Sequence, residues 1–149
     1  MMSKVKRADK IKVATLLPVY RGDELGKFKI ACESIANQQL LEGVVSRIYL
    51  GIDGPLESSL EKWITINAEQ FYKVVRSEKN LGLSGILNLL ISELEDEIYV
   101  FRMDADDASL SGRYKMQMEF LLDNPEVGIL GTAILETSPD ADQSRVVSF

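Results

Sequence analysis

Asp104-Ala105-Asp106-Asp107 places three carboxylates within four residues, directly after the apolar run Tyr99-Val100-Phe101-Arg102-Met103. Like charges this close repel one another unless a cation or a basic side chain offsets them. Residues two apart on an extended segment share a side, so Asp104 and Asp106 are expected to face one hard cation while Asp107 turns away. Oxygen-only ligation suits Mg2+ or Mn2+ shared with substrate phosphates. The same cluster would also serve as a solvated loop or as the acidic first turn of a helix, where carboxylates are favourable anyway. An EF-hand starting at Asp104 is excluded, because Ser109 stands where it needs glycine and Lys115 where it needs glutamate. The chain has no histidine, which removes His-based nucleophile activation and His-ligated zinc together. Acid–base work then falls to carboxylates.

Further polar groups gather in three other places: Pro18-Val19-Tyr20, Asp53-Gly54-Pro55, and the stretch from Arg76 to Gly82. What unites them is the pattern of elements that carries them. Ile11 to Leu17 reads as a buried strand, and Leu25, Phe28, Cys32, Ile35 and Ala36 then recur at helical spacing. Arg47 to Ile52 reads as a strand, Leu60, Trp63, Ile64 and Phe71 as a helix, and Tyr72 to Val75 as a strand. Leu83, Ile86, Leu87, Leu90, Ile91 and Leu94 give the clearest apolar helix face, ahead of a strand from Ile98 to Met103. Tyr114, Met118, Leu121 and Leu122 mark another helix, closed by Asn124 and Pro125, and Val127 to Ile134 is read as a final strand. Alternation of this kind predicts an α/β fold with a mostly parallel sheet and helices on both faces. In such a sheet ligands bind beyond the carboxyl ends of the strands, and all four polar groups fall there.

Composition narrows the class. With 149 residues, 46% of them hydrophobic and 27% charged, the chain is expected to form one domain and to remove roughly two-thirds of its unfolded surface from water. It needs no disulfide, and its lone Cys32 reads as a small buried hydrophobe in a reducing compartment. The net charge of −6 argues against nucleic acid as a partner, since a basic stripe is needed to replace counterions. Apolar runs are too short for a signal peptide or a membrane helix, so a cytoplasmic location is expected. The basic residues Lys4, Lys6, Arg7, Lys10 and Lys12 give some support for peripheral association with the inner face of a membrane. The chain stops within an apparent strand, Val146 to Phe149, which suggests that more protein follows.

Taken in order, Leu17-Pro18-Val19-Tyr20, Ile52-Asp53-Gly54, Asn80-Leu81-Gly82-Leu83 and Arg102-Met103-Asp104-Ala105-Asp106-Asp107 resemble the family 2 glycosyltransferases. Arg113-Tyr114-Lys115-Met116-Gln117 and Asn124-Pro125-Glu126-Val127 continue the resemblance, which spans Val13 to Thr132. Two positions depart from the pattern: Ile52 precedes Asp53 where the family often has a second Asp, and Ser111 stands where it often has Pro. The resemblance implies a Rossmann-like GT-A fold and residues 1–149 as its donor-binding part. The implied activity is metal-dependent transfer of a sugar from a nucleotide-diphosphate sugar, UDP-sugars favoured. The implied acceptor is a glycan or a lipid-linked molecule, with inversion, in cell-surface polysaccharide synthesis.

Carried over by residue, the resemblance puts Pro18 and Tyr20 beside the nucleotide base, where the tyrosine offers an aromatic face. Asp53 would accept a hydrogen bond from the base imide, although Asp before Gly is also a common turn former. Asp104, with Ala105, would lie near the ribose or the metal's water shell, and Asp106 would ligate Mn2+ or Mg2+. Arg76 and Lys79 are placed to meet the pyrophosphate, or to be simply solvated. Asn80 and Gly82 read better as turn and helix-start residues than as ligands, Asn88 as a helix position, and Arg102 and Arg113 as counter-charges to the acidic cluster. The catalytic base belongs in this family to a later segment, and nothing from Glu136 to Phe149 matches it. The expectation is therefore donor and metal binding with little or no turnover. Rival readings are a nucleotidyltransferase, which would bring a Gly-rich basic loop after the first strand where Arg21-Gly22-Asp23 stands, and a non-catalytic nucleotide-binding or interaction domain. A receiver domain would need an acidic pair that Pro18 to Arg21 does not supply.

Overall fold

A computed structural model of the chain describes residues 10–137 and 145–148. Lys4, Lys6, Arg7 and Phe149 lie outside the described residues. The elements run β1 (Ile11–Tyr20), α1 (Leu25–Ala36), β2 (Val44–Asp53), α2 (Ser58–Ile66), a 3-10 turn (Ala68–Gln70), β3 (Lys73–Ser77), α3 (Gly82–Ser92), β4 (Tyr99–Arg102), α4 (Arg113–Asp123), β5 (Ile134–Glu136) and β6 (Arg145–Val147). The chain divides into two compact units, the first ending at Lys115 and the second beginning at Met116.

The first unit holds a parallel four-stranded sheet in the order β3-β2-β1-β4. Chain order builds outward from β1 through β2 to β3, then returns to place β4 on the other side of β1. That reversal makes the gap between the carboxyl ends of β1 and β4 the topological switch point, where open α/β sheets receive ligands. Both central strands are buried on their two faces, which is why they read as near-continuous apolar runs. Val13, Leu17, Tyr49, Leu50 and Ile52 are inaccessible or nearly so. Truncating one such leucine to alanine costs about 2–5 kcal/mol, because the cavity left behind closes only in part.

Period-two alternation assigns each helix to a face. Leu90 of α3 packs with Ala14, Leu16 and Tyr49. A side chain on Gly51 would press within 2.7 Å of Ile86 and 2.8 Å of Leu90, so α3 lies close over that position. On the opposite face α1 buries Phe28, Ala31, Cys32 and Ile35 at i, i+3, i+4 and i+7. There Phe28 meets Trp63 of α2 edge to face, with centroids 5.5 Å apart. Helices therefore cover both faces, as the alternation predicts. Cys32 is buried, and desolvation pushes its thiol up to about 12, the state of an inert packing residue.

At the amino edge of the sheet, Lys12, Arg47 and Lys73 from the starts of three strands grip the acidic α3–β4 connection Glu93 to Glu97. The second unit contains the antiparallel β5–β6 hairpin, with Arg145 bonded to Glu136. The strand expected over Val127 to Ile134 does not form: residues 127–133 pair with no strand among the described residues, and Ile129 is 93% exposed. A short apolar run does not fix a strand by itself, since a ladder partner must also be supplied.

Candidate functional site

The carboxyl ends of β1, β2 and β4 and the start of α3 enclose a cleft of about 360 Å3. From the β1 end come Pro18, Tyr20 and Asp23; from the β2 end, Asp53; from the α3 start, Asn80, Gly82 and Leu83; from the turn after β4, Asp104, Ala105 and Asp106. A larger hollow of about 710 Å3 opens beside the first residues of β2, lined by Val45, Ser46, Arg47 and Tyr72 among others. It lies away from the strand carboxyl ends, so the smaller cleft at the switch point is the better-founded site.

Each wall is held by local chemistry. β1 ends in a turn closed twice, by Asp23 N–H donating to Tyr20 O at 3.1 Å and by Tyr20 N–H donating to Asp23 Oδ2 at 2.9 Å. A Cβ on Gly22 within it would collide with Tyr20 Oη, so a side chain there would push the exposed tyrosine ring aside. Asp53 is 4% exposed and accepts Leu81 N–H on Oδ1 at 2.6 Å, which ties the β2 end to the loop before α3. Gly54 has φ +82, and a Cβ there would lie 2.9 Å from Asn80 N, so both backbone conformation and space require glycine. Asn80 Oδ1 accepts Gly82 N–H at 3.1 Å, an Asx turn that starts α3.

Beyond β4 the pairing ends with Met103 N–H on Leu16 O at 3.1 Å, and the acidic residues form a turn closed by Asp107 N–H on Asp104 O at 3.3 Å. The extended segment that would align Asp104 with Asp106 is thus replaced by a turn, because β4 has no ladder partner past Met103 among the described residues. Ala105 is buried at its centre. Arg102 Nη2 donates to both oxygens of Asp104, at 2.7 and 3.0 Å, and Arg113 Nη2 donates to Arg102 O at 3.2 Å. Asp106 is exposed and forms no ion pair among the described residues. Burial pushes the carboxyl groups of Asp23 and Asp107 up, and the charges of Asp106 and Asp104 push both further. Four acidic side chains therefore share one electrostatic field with only partial compensation.

Arg76 is not brought to the cleft. It stands opposite Ile52 on the α1–α2 face, where alternation directs it to Glu61 of α2, with contacts of 2.5 and 3.1 Å. Lys79 and Asn88 are exposed and do not line the cleft either. Asp23 and Leu83 are lining residues that sequence reasoning passed over. The signal for Asp23 is its place in a turn directly after a strand end.

A hard cation fits this donor set in one respect. Among the described residues no three acidic, His or Cys side chains converge closely enough to cage an ion alone, whereas one or two carboxylates completed by substrate phosphates is the ordinary arrangement for Mg2+.

Known proteins agree with this architecture. The family described as Glycosyl transferase family 2 matches residues 24–146. The amylovoran biosynthesis glycosyltransferase AmsE of Erwinia amylovora is 31% identical over 124 residues, which is 83% of this chain and 45% of AmsE. An uncharacterized glycosyltransferase of Haemophilus influenzae is 33% identical over 90 residues, 60% of this chain and 33% of its own. The chain thus spans less than half the length of these relatives. Among solved structures, S. aureus TarS superposes with a TM-score of 0.64 at 15% identity, over 84% of this chain and 21% of TarS. Its 1–349 form in complex with UDP-GlcNAc superposes with a TM-score of 0.64 at 17% identity, over 77% of this chain and 32% of that one. The likeness to TarS bears out the GT-A fold.

Proposed function

The chain belongs to glycosyl transferase family 2, and from that premise we propose that its cleft binds the nucleotide-diphosphate sugar donor of a metal-dependent, inverting sugar transfer. UDP-sugars are the favoured donors, and a glycan or lipid-linked molecule in cell-surface polysaccharide synthesis is the acceptor. The observation that carries this reading is the convergence of an aromatic ring, a buried carboxylate and an acidic turn on one cleft at the switch point. One relative and one structural neighbour support the finer terms: AmsE is named for amylovoran biosynthesis, and TarS was crystallised with UDP and with UDP-GlcNAc.

In this reading Tyr20, which is 46% exposed and lines the cleft, lies against the base. Asp53 spends one oxygen on Leu81 N–H and keeps the other for an imide N–H, which uracil has and cytosine lacks. Asp106 and Asp104 are the residues that would hold Mn2+ or Mg2+, Asp104 by exchanging or sharing its contact with Arg102. The cation, when bound, neutralises charge developing on the departing diphosphate. The amino end of α3, presented at the cleft by Gly82 and Leu83, adds a backbone dipole favourable to phosphate. The general base is assigned to none of these residues. No helix among the described residues is long and apolar enough to cross a membrane, and work on a lipid-linked acceptor would place the chain at the cytoplasmic face as a peripheral protein.

Calorimetric titration of UDP, CDP and GDP with and without Mn2+, into the wild type and Asp106→Ala, tests the proposal. Metal-dependent preference for UDP, lost in Asp106→Ala, is the expected result. Absence of nucleotide binding by a demonstrably folded chain would overturn it and leave a non-catalytic scaffold.

A further inference from the structure

Gln38 lies just past the end of α1, is 9% exposed, and spends its whole side-chain amide on backbone. Its Nε2 donates to Ser34 O at 2.9 Å, to Ser109 O at 3.1 Å and to Leu110 O at 3.0 Å, while Oε1 accepts Tyr114 N–H at 3.1 Å. A primary amide has two N–H hydrogens, so three carbonyls share them. Neighbouring bonds converge on the same segment: Ser109 N–H donates to Ser34 Oγ at 3.0 Å, and Gln39 N–H to Ser111 O at 2.8 Å. Tyr114 is itself fixed, by a 2.6 Å bond with Thr15 and by stacking on Phe101 at 3.8 Å between centroids.

The consequence concerns the acidic turn. Residues 103–110 have no regular element, and the carboxylates of Asp104, Asp106 and Asp107 repel one another. One end of the segment is held by Met103 on Leu16; the other is held by Gln38 and Ser34. The buried Ser109 carbonyl needs a partner, and here one side chain supplies what a ladder strand would otherwise supply. We propose that Gln38 is a positioning residue of the donor site, anchoring the carboxyl side of the acidic turn so that Asp106 stays presented at the cleft. The inference rests on the donor-site reading, and its effect is confined to the metal side, since Tyr20 and Asp53 are held by other bonds.

Gln38→Met removes every bond, and Gln38→Glu keeps the acceptor for Tyr114 while removing donation to the carbonyls. For each variant the readouts are Tm, the Kd of uridine without metal, and the factor by which Mn2+ tightens UDP. The expected result is a Mn2+ factor reduced roughly 10-fold or more, as for lost supporting partners of metal ligands, with uridine affinity unchanged. An unchanged factor in folded variants, or equal weakening of uridine and of Mn2+ with UDP, overturns the proposal. Should both variants fail to fold, Ser34→Ala, which removes the acceptor of Ser109 N–H and a bond within α1 to Ala31 O, must show the same selective loss on a smaller scale, and its absence counts against the anchor. If the wild type shows no metal dependence, the donor-site reading fails. Amide hydrogen exchange across residues 104–114 then decides the anchor: faster exchange in Gln38→Glu with β1 unaltered supports it, and unaltered exchange overturns it.

Discussion

Glu93 to Glu97 and Asp104 to Asp107 are acidic runs on either side of the same strand, β4, and their carboxylates end in opposite electrostatic states. On the amino side Arg47 Nη1 reaches Asp96 at 2.9 Å and Glu97 at 2.7 Å, Tyr49 Oη donates to Glu97 at 2.6 Å, and Tyr72 Oη to Glu95 at 2.7 Å. Lys73 pairs with Glu93 at 2.9 Å, Lys12 pairs with Asp96, and Arg47 stacks over the Tyr72 ring at 4.1 Å. Burial alone would push the Glu97 carboxyl up, but the bonds from Arg47 and Tyr49 and from the backbone hold it down at about 2. On the carboxyl side only Asp104 has an ion-pair partner among the described residues, and Asp23 and Asp107 are pushed up instead. The first run is satisfied within the protein and secures a connection; the second keeps an excess of negative charge. Acidic density alone does not mark a site; the donor-site proposal rests on uncompensated acidic charge at a cleft.

The contrast is broken most severely at its satisfied end. Arg47→Met leaves Glu97 buried without its strongest partner and is expected to lower Tm by roughly 5–10 °C, measured by thermal unfolding; a shift within error would mean that the knot contributes nothing to stability. The acid limb comes next. Glu97 has a folded value below its ordinary 4.5, so its contribution is complete above that value and is lost as pH falls from 4.5 through about 2. Thermal melts across that window should show a decline that Glu97→Gln flattens, and an unchanged slope would remove Glu97 from the account. At the other end the sign reverses. Asp107→Asn should raise Tm at neutral pH by roughly 1–3 °C, because it removes repulsion rather than a bond, and a fall would show a missing structural role. The smallest effect expected is a rise of roughly 1–2 °C on adding Mn2+ without nucleotide, present in the wild type and absent in Asp106→Asn; equal shifts in both would place the cation elsewhere.

Much of the fold was legible because it is written in short-range periodicity. The i, i+3, i+4, i+7 spacing of Phe28, Ala31, Cys32 and Ile35 specifies the buried face of α1, and the apolar runs of β1 and β2 specify central strands. The strand ends located Pro18, Tyr20, Asp53 and Asp104 to Asp106, and the cleft gathers them. Val127 to Ile134 misled because an apolar run records burial preference and not the presence of a pairing strand.

What the sequence by itself determined, then, is the order of elements, the family resemblance, and the identity of most residues that meet at the switch point. Only the tertiary structure decided that Arg76 turns to Glu61, that the acidic residues form a turn anchored by Gln38, and which of two acidic runs is neutralised. The reason is distance along the chain. Lys12 and Asp96 are 84 residues apart, and Gln38 and Leu110 are 72 apart, so their meeting depends on strand order and register, which local spacing does not encode.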